Sequence, residues 1–160
     1  MSQGSIYYAL LDNHYVIKFT GEVRLTLCSS LDTHIEKVIS SNECEHVLVD
    51  VTEAICLDST TLGLIAKLAI RAKNQGLPAP VLVSTHDDVT RTLLSMGFDQ
   101  IFVLLDVLPL TQYELVQVPI VQESVEVMQE RIIKAHKVLM SLNDSNYEAF
   151  NNLIAVLEKK

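Results

Sequence analysis

The sequence predicts an α/β domain over residues 1–108, with a mixed, mainly parallel sheet and helices packed on it, followed by a helical C-terminal extension over residues 109–160. Short apolar runs of strand length alternate with segments of helical spacing through the first part of the chain. From Val121 onward the apolar residues follow a three and four spacing instead. With 49% hydrophobic residues among 160, the chain has enough apolar side chains for one modest core.

The first two apolar runs predict an antiparallel hairpin. Residues 6–11 and 15–19 flank the Asp, Asn and His at 12–14, residue types that suit a tight connection between strands. A helical pattern follows, for which Thr26 is available as the N-cap. Residues 46–51 are rich in β-branched side chains and almost continuously apolar, which is typical of a central strand covered on both faces.

Helical and strand-like segments keep alternating after this strand, as crossovers between parallel strands require. A second helix is predicted to begin after Asp58, a suitable N-cap residue. Residues 81–83 form the next apolar run, and Thr85 with Asp88 makes a capping-box-like start for a third helix. Residues 101–105 close the series as a further strand.

Residues 119–158 predict a helical hairpin. Ser145 with Glu148 forms another capping-box pattern, so the second helix of the pair is expected to begin there. The spacing does not identify the surface that buries the apolar stripes. The hairpin either covers a face of the α/β domain or binds a partner, including a second copy of the chain in a homo-oligomer. The stripes consist of Val121, Val125, Met128, Ile132, Ala135, Leu139 and Leu142, and of Tyr147, Phe150, Ile154 and Leu157.

The charge balance argues against several classes of function. Twelve Lys and Arg against 20 Asp and Glu give a net charge of -8, which repels a phosphate backbone, so direct nucleic-acid binding is not expected. The longest apolar runs have the length of a strand, so no membrane insertion is expected. The first residues lack the basic start and long apolar stretch of a secretory signal, which indicates a cytoplasmic protein.

No catalytic residue, cofactor or metal site is predicted. Cys28, Cys44 and Cys56 are odd in number and lack CxxC spacing, so buried inert thiols are expected rather than disulfides. Cys44 and His46 form a CxH pair, but a structural zinc site usually needs four clustered ligands. The sequence has no GxSxG elbow and no glycine-rich phosphate loop, and its five histidines are scattered, so an enzyme is not expected.

A polar cluster follows the central strand and precedes the second helix. Function in parallel α/β sheets collects at the carboxyl ends of the strands, where Asp58 and Ser59 are expected to lie. Ser59 would occupy the first helical turn, where unpaired backbone N–H groups and the helix dipole favour a phosphate. Asp50 is expected close to Asp58, so that phosphorylation would create a dense negative patch that drives a partner away. By position alone, these residues could also be helix caps and nothing more.

The segment HVLVDVTEAICLDSTTLGLIAKL, residues 46–68, resembles the central segment of STAS domains in anti-sigma factor antagonists. In that family an apolar strand ending in Asp leads through a short loop to Asp, Ser, Ser or Thr, Gly, Leu, Gly. Residues 17–25, IKFTGEVRL, and residues 89–104, VTRTLLSMGFDQIFVL, are also similar to family segments, so the resemblance covers residues 5–106. The matching positions are Asp50, Asp58, Ser59, Leu62 and Gly63.

The resemblance implies a phosphorylation site. Ser59 corresponds to the serine that the family's partner kinases phosphorylate, Asp58 to the acidic residue before it, and Thr60 to a frequent second hydroxyl. Thr61 stands where the family usually has Gly, and Thr disfavours positive φ. The residues implied in partner binding are Asp58, Ser59, Thr60, Thr61 and Gly63, with Asp50 as the acidic neighbour.

The resemblance also implies a binding function. The unphosphorylated protein would bind an anti-sigma factor or a serine-kinase regulator, and a PP2C-type phosphatase or a response regulator would reset the system. The helical extension makes the chain similar to a longer bacterial subtype found with two-component regulators of motility and biofilm growth. The alternative is a scaffold subunit of a larger regulatory or transporter-associated complex.

Overall fold

The computed structural model describes residues 3–109 and 114–159. Strands and helices alternate in the first part of the chain, and two helices end it. The strands are β1 (Ser5–Leu11), β2 (His14–Val23), β3 (His46–Leu57), β4 (Val81–Val83), β5 (Val103–Leu105) and β6 (Val116–Gln117). The helices are α1 (Cys28–Ser40), α2 (Ser59–Asn74), α3 (Asp87–Ser95), α4 (Val125–Met140) and α5 (Asp144–Glu158).

The strands form a sheet in the spatial order β5-β4-β3-β2-β1-β6. β1 and β2 make the predicted antiparallel hairpin, and its turn residues Asp12 and Asn13 have φ of 51° and 65°. Positive φ at both central positions is the type I′ turn, whose twist matches that of the flanking strands. β2 to β5 are parallel to one another, while β6 pairs antiparallel with β1. The prediction of a mixed, mainly parallel sheet with packed helices is confirmed.

β3 is longer than the central strand that the sequence predicts. The apolar run ends at Val51, but the strand continues to Leu57 and pairs there with Val23 of β2. Beyond Val51 most of its side chains are exposed or half-buried, so the criterion of a continuous apolar run missed this part. β5 is shorter than predicted, because Phe98–Gln100 forms a 3-10 turn before it and only Val103–Leu105 is extended.

Three of the predicted helix caps are wrong, two of them in the α/β part. α1 begins at Cys28 after a 3-10 turn over Leu25–Leu27, so Thr26 lies inside that turn and does not cap the helix. The N-cap of α3 is His86 rather than Thr85, and it makes no side-chain cap hydrogen bond. Two acidic residues in the first turn of α3 interact favourably with the helix dipole instead.

The main core lies between the sheet and the helices. Tyr15 and Phe19 of β2 are completely buried in it. Residues of the C-terminal extension join the same core: Val118, Ala135 and Leu139 are all at most 5% exposed. A smaller cluster of Ala9, Val16, Leu48 and Val83 forms separately from it.

The extension packs on the α/β domain as a helical hairpin, with α4 against α2 and α5 against α4. The hairpin is shorter than the predicted residues 119–158, because α4 begins at Val125 and Val121 of the predicted stripe lies before the helix. The extension also contributes the strand β6, which the sequence did not predict. In the stripe of α4, Ala135 and Leu139 are buried, whereas Val125 at its start is 74% exposed. α5 is capped by Asn143, whose side chain accepts from a backbone amide, so the predicted cap at Ser145 is wrong. Among the surfaces that the spacing left open, the hairpin covers a face of the same chain.

Candidate functional site

Helix α2 begins at Ser59, directly after β3, and Asp58 is its N-cap as predicted. The Asp58 carboxylate accepts a hydrogen bond from the Thr61 amide at 2.9 Å. The Asp58 carbonyl accepts from the Leu62 amide at the same distance. An N-cap of this kind satisfies one of the amides that a helix start leaves open. Ser59 is thereby held at the positive end of the α2 dipole.

The Ser59 side chain is half-buried and contacts a histidine of the C-terminal hairpin. Its hydroxyl lies 2.8 Å from Nε2 of His136 on α4. Nδ1 of the same ring lies 2.7 Å from the Ile132 carbonyl, an acceptor, so Nδ1 carries the proton. In the neutral ring Nε2 is then an acceptor, and Ser59 donates to it. His136 is only 2% exposed, and the Phe150 ring lies edge-on to it with centroids 5.0 Å apart.

The sequence reasoning did not find His136. It follows Ala135, a member of the apolar stripe of α4, so a polar residue beside that stripe was the available signal. Periodicity shows which side of a helix is buried but does not identify the residue opposite. The two residues are 77 positions apart in the chain, and only the packing of α4 on α2 brings them together.

α2 and α4 approach each other most closely at Gly63. A Cβ atom added to Gly63 would lie 2.3 Å from the Ala135 carbonyl oxygen, closer than real Cβ atoms come to any heavy atom. Glycine is therefore required at this position as long as α4 is docked. Gly63, which the sequence analysis assigned to partner binding, is buried under the chain's own helix.

Thr60 and Thr61 are also buried, at 6% and 0% exposure. Thr61 has an ordinary helical φ, so the replacement of the family's Gly by Thr causes no strain at this turn. Its hydroxyl lies 3.4 Å from the Cys28 sulfur on α1. Burial raises the pKa of Cys28 to about 12, as expected for an inert thiol.

Asp50 lies elsewhere, and the expectation that it neighbours Asp58 is wrong. It is completely buried in the middle of β3, where its carboxylate accepts from the Thr52 amide at 2.9 Å and from the Thr52 hydroxyl at 2.7 Å. Because the strand continues to Leu57, Asp50 and Asp58 are more than about 15 Å apart at the rise of a β-strand. Asp50 therefore does not belong to the Ser59 site.

Ionic contacts fasten α4 to α1. Arg131 of α4 donates to the Asp32 carboxylate at 3.1 Å and to Glu123 at 2.8 Å. Asp32 also accepts from Lys67 of α2 at 2.7 Å. Burial opposes the charge of Asp32, but the hydrogen bonds from Lys67 and Arg131 outweigh it and hold its pKa below the ordinary value. The cluster thus links three helices around the start of the hairpin.

The other end of the hairpin contacts α3. The Asn146 side chain donates to the Met96 carbonyl at 2.8 Å and to the Leu139 carbonyl at 2.9 Å. Next to Met96, Gly97 has φ of 85°, and a Cβ there would lie 2.6 Å from the Asn143 side chain. The hairpin is therefore positioned at both ends, with His136 between them.

Two kinds of site are absent from the part of the chain that the structure describes. In residues 3–109 and 114–159, no group of three or more His, Cys, Asp or Glu side chains is arranged to hold a metal ion. None of the helices in these ranges has both the length and the apolar character needed to cross a bilayer.

The Ser59 site lies in a part of the chain that resembles a known protein family. The family model of the STAS domain matches residues 8–112, which contain α2 and Ser59. No curated protein matches the sequence.

Three solved structures resemble this fold. A Thermotoga maritima protein provisionally assigned as an anti-sigma factor antagonist is 18% identical, covering 62% of this chain and 85% of its own, with a TM-score of 0.56. An anti-sigma factor antagonist of Mycobacterium paratuberculosis is also 18% identical, covering 66% and 88%, with a TM-score of 0.55. The anti-sigma factor antagonist SpoIIAA in its unphosphorylated form is 13% identical, covering 65% and 90%, with a TM-score of 0.55. At these identities the likeness shows the fold alone.

Proposed function

Because the chain belongs to the STAS domain family, we propose that it is a phosphorylation-controlled protein-binding switch in a partner-switching pathway. In this proposal the unphosphorylated form binds an anti-sigma factor or a related serine-kinase regulator. A kinase modifies Ser59, with Thr60 as a second acceptor, and a PP2C-type phosphatase or a response regulator restores the binding form. The pathway would be cytoplasmic and would control motility or biofilm growth.

The observation that carries the proposal is the position of Ser59 as the first residue of a capped helix. Backbone N–H groups and the helix dipole at such a position stabilise a phosphate, so the modification is compatible with an intact α2. A phosphate adds about -1.5 to -2 charges beside the Asp58 carboxylate. A partner that docks on the uncharged form would lose affinity for the modified one.

One solved relative supports the phosphorylation step by analogy. The SpoIIAA structure shows the unphosphorylated form of that anti-sigma factor antagonist, which implies that SpoIIAA also has a phosphorylated form. The likeness to this chain is in the fold, and Ser59 follows the family's sequence pattern. The sequence pattern favours Ser59 as the modified residue.

If the protein is a scaffold instead, the charge at Ser59 should have no effect on partner binding. A scaffold subunit of a regulatory or transporter-associated complex would keep its partners whatever the charge at Ser59. Buried contacts between α2 and α4 at Gly63 are compatible with either reading, because a docked hairpin could serve a permanent assembly or a reversible one. The two functions are therefore separated by experiment on Ser59.

The test uses the tagged full chain, isolated from the cells that make it, as wild type, Ser59→Ala and Ser59→Asp. Phosphate is mapped by mass spectrometry, and the co-purified regulator is quantified. We expect phosphate on Ser59 and at least about tenfold less regulator with Ser59→Asp than with Ser59→Ala, which is about 1.4 kcal/mol of binding free energy.

Ser145 provides the matched control, because it is exposed in the first turn of α5. The Ser145→Ala and Ser145→Asp variants should recover equal amounts of regulator. Phosphate found only away from Ser59 and Thr60 would overturn the site. Equal recovery with both Ser59 variants would favour the scaffold.

A further inference from the structure

The C-terminal hairpin occupies the same end of α2 that carries Ser59. The imidazole of His136 accepts a hydrogen bond from the Ser59 hydroxyl at 2.8 Å, and the Ala135 carbonyl covers Gly63. Ser59 and Gly63 are the residues through which the proposed switch is modified and bound. In the described structure both of them contact α4 of the same chain.

We propose that the hairpin of α4 and α5 is an autoinhibitory cover, whose docking on α2 and the phosphorylation of Ser59 exclude each other. This inference rests on the proposed function and adds an intramolecular step to it. While α4 is docked, a kinase cannot reach the Ser59 hydroxyl and a partner cannot reach Gly63. Once Ser59 carries a phosphate, α4 cannot return to its place.

A phosphate on Ser59 and a docked α4 compete for the same space. At 2.8 Å, the Ser59 hydroxyl and Nε2 of His136 leave no room between them for a phosphorus atom and its three oxygens. The imidazole cannot simply turn aside, because Nδ1 is bonded to the Ile132 carbonyl and the Phe150 ring packs against the ring plane. The phosphate therefore displaces the helix as a whole.

Few buried side chains hold α4 in place. Only Ala135, His136 and Leu139 of α4 are buried, and its first residue Val125 is 74% exposed. The remaining attachment combines partly buried apolar side chains, such as Val138 and Leu142, with the hydrogen bond from Arg131 to Asp32 on α1. A segment with few buried side chains opens at a lower free energy than the core strands and helices. The hairpin can therefore leave α2 while the sheet remains folded.

A competing outcome is defined by the same geometry. If the phosphate instead remained in place and formed hydrogen bonds with the His136 ring, the hairpin would be held more tightly. We expect the phosphate to release α4 from α2. Release would make the α4 amides exchange faster, whereas tighter holding would make them exchange more slowly.

The main test inserts phosphoserine at position 59 of the full chain during translation, which requires no kinase. Hydrogen–deuterium exchange of peptides from residues 125–140 reports the docking of α4. We expect exchange at least about tenfold faster in α4 than in the unmodified protein, with the β2 and β3 peptides unchanged. Phosphoserine inserted at Ser145, at the exposed start of α5, is the matched control and should leave α4 exchange as it was.

Unchanged or slower exchange of α4 with phosphoserine at position 59 would overturn the inference. That result would leave the proposed switch intact, because regulator binding by Ser59→Ala and Ser59→Asp is measured separately. Conversely, α4 could exchange faster while Ser59→Ala and Ser59→Asp bind the regulator equally well. That result would support the autoinhibitory cover and contradict the proposed switch. The two failures are thus distinguishable.

A second test measures access to position 59 in the closed protein. Ser59→Cys is combined with Cys56→Ser, which removes an exposed thiol, and labelling with a maleimide is timed. Ser145→Cys in the same background is the exposed control. We expect the thiol at position 59 to label at least about tenfold more slowly than the thiol at position 145, because a docked segment reacts only when it opens.

Gly63→Ala should abolish the difference in labelling rate between the thiols at positions 59 and 145. The added Cβ would collide with the Ala135 carbonyl at 2.3 Å and push α4 away, while alanine is a better helix former than glycine and keeps α2 folded. Lys73→Ala, near the exposed end of α2, is the control and should leave labelling slow. Labelling at position 59 that is already fast with Gly63 in place would contradict the cover.

Discussion

The Ser59 hydroxyl and the His136 imidazole satisfy each other across two helices. The imidazole is buried, and its two nitrogens bond to Ser59 and to the Ile132 carbonyl. A buried acceptor that loses its donor retains the full cost of leaving water. The contact consequently matters more for the position of α4 than its single hydrogen bond suggests.

A double-mutant cycle measures this contact at the scale of residues. Ser59→Ala, His136→Ala and the double variant should give a coupling of about 0.5–1.5 kcal/mol in the free energy of unfolding by urea. The coupling is expected because either single variant already removes the hydrogen bond. The same cycle with Lys134→Ala, an exposed residue of α4, should be additive. A coupling near zero for Ser59 and His136 would show that their contact does not persist in solution.

Helix α2 illustrates how one element depends on a local signal and a distant one. Asp58 directly follows β3 and caps α2 by accepting a hydrogen bond from the Thr61 amide, all within a few residues. Farther along the same helix, Gly63 is required by a helix from the other end of the chain. The start of the element is thus decided locally, whereas the face it presents is decided by α4.

The N-cap gives a prediction at the scale of elements. Asp58→Ala should lower the free energy of unfolding by about 1 kcal/mol, because the Thr61 amide loses its acceptor. Asp58→Asn should retain most of the stability, since asparagine is an equally good N-cap. His86→Ala, at an N-cap without a side-chain bond, is the control and should cost less. Urea unfolding of the three variants decides this, and equal losses for Asp58→Ala and His86→Ala would contradict the capping role.

The whole molecule has one main core to which both parts of the chain contribute. Most of its buried side chains belong to the α/β part, including the completely buried Tyr15 and Phe19. The extension adds only a few, such as Val118, Ala135 and Leu139. The division into residues 1–108 and 109–160 therefore remains a prediction that truncation can examine.

Truncation after Leu110 should leave the α/β part folded, because its main hydrophobic contacts are internal to residues 3–109. It should also destabilise that part and cause self-association, since the face of α2 under α4 becomes exposed. Circular dichroism and sedimentation measure the two effects. Conversion of Gln122 to a stop codon is the matched control, since it keeps β6 and Val118 and removes only the helices. If both truncated proteins are unfolded, the hairpin is part of the folding unit. If they are folded but monomeric, the uncovered face of α2 does not drive self-association.

The order of elements and the cap of α2 followed from local patterns. Alternating apolar runs predicted the parallel sheet, and the residue types before α2 predicted Asp58 as the N-cap and Ser59 as the first helical residue. Local criteria failed where backbone geometry or exposure changed the outcome. Thr26 lies in a 3-10 turn, and the half-exposed end of β3 carried Asp50 away from Asp58.

The sequence alone determined the family pattern around Ser59, because the residue types and their spacing within a short segment are sufficient to recognise it. Only the tertiary structure decided that His136 bonds to Ser59 and that Gly63 lies under Ala135. The periodicity of α4 states which of its sides is apolar and is silent on the surface opposite. The contact depends on how two amphipathic helices pack across 77 residues of sequence, and this packing is a property of the whole fold.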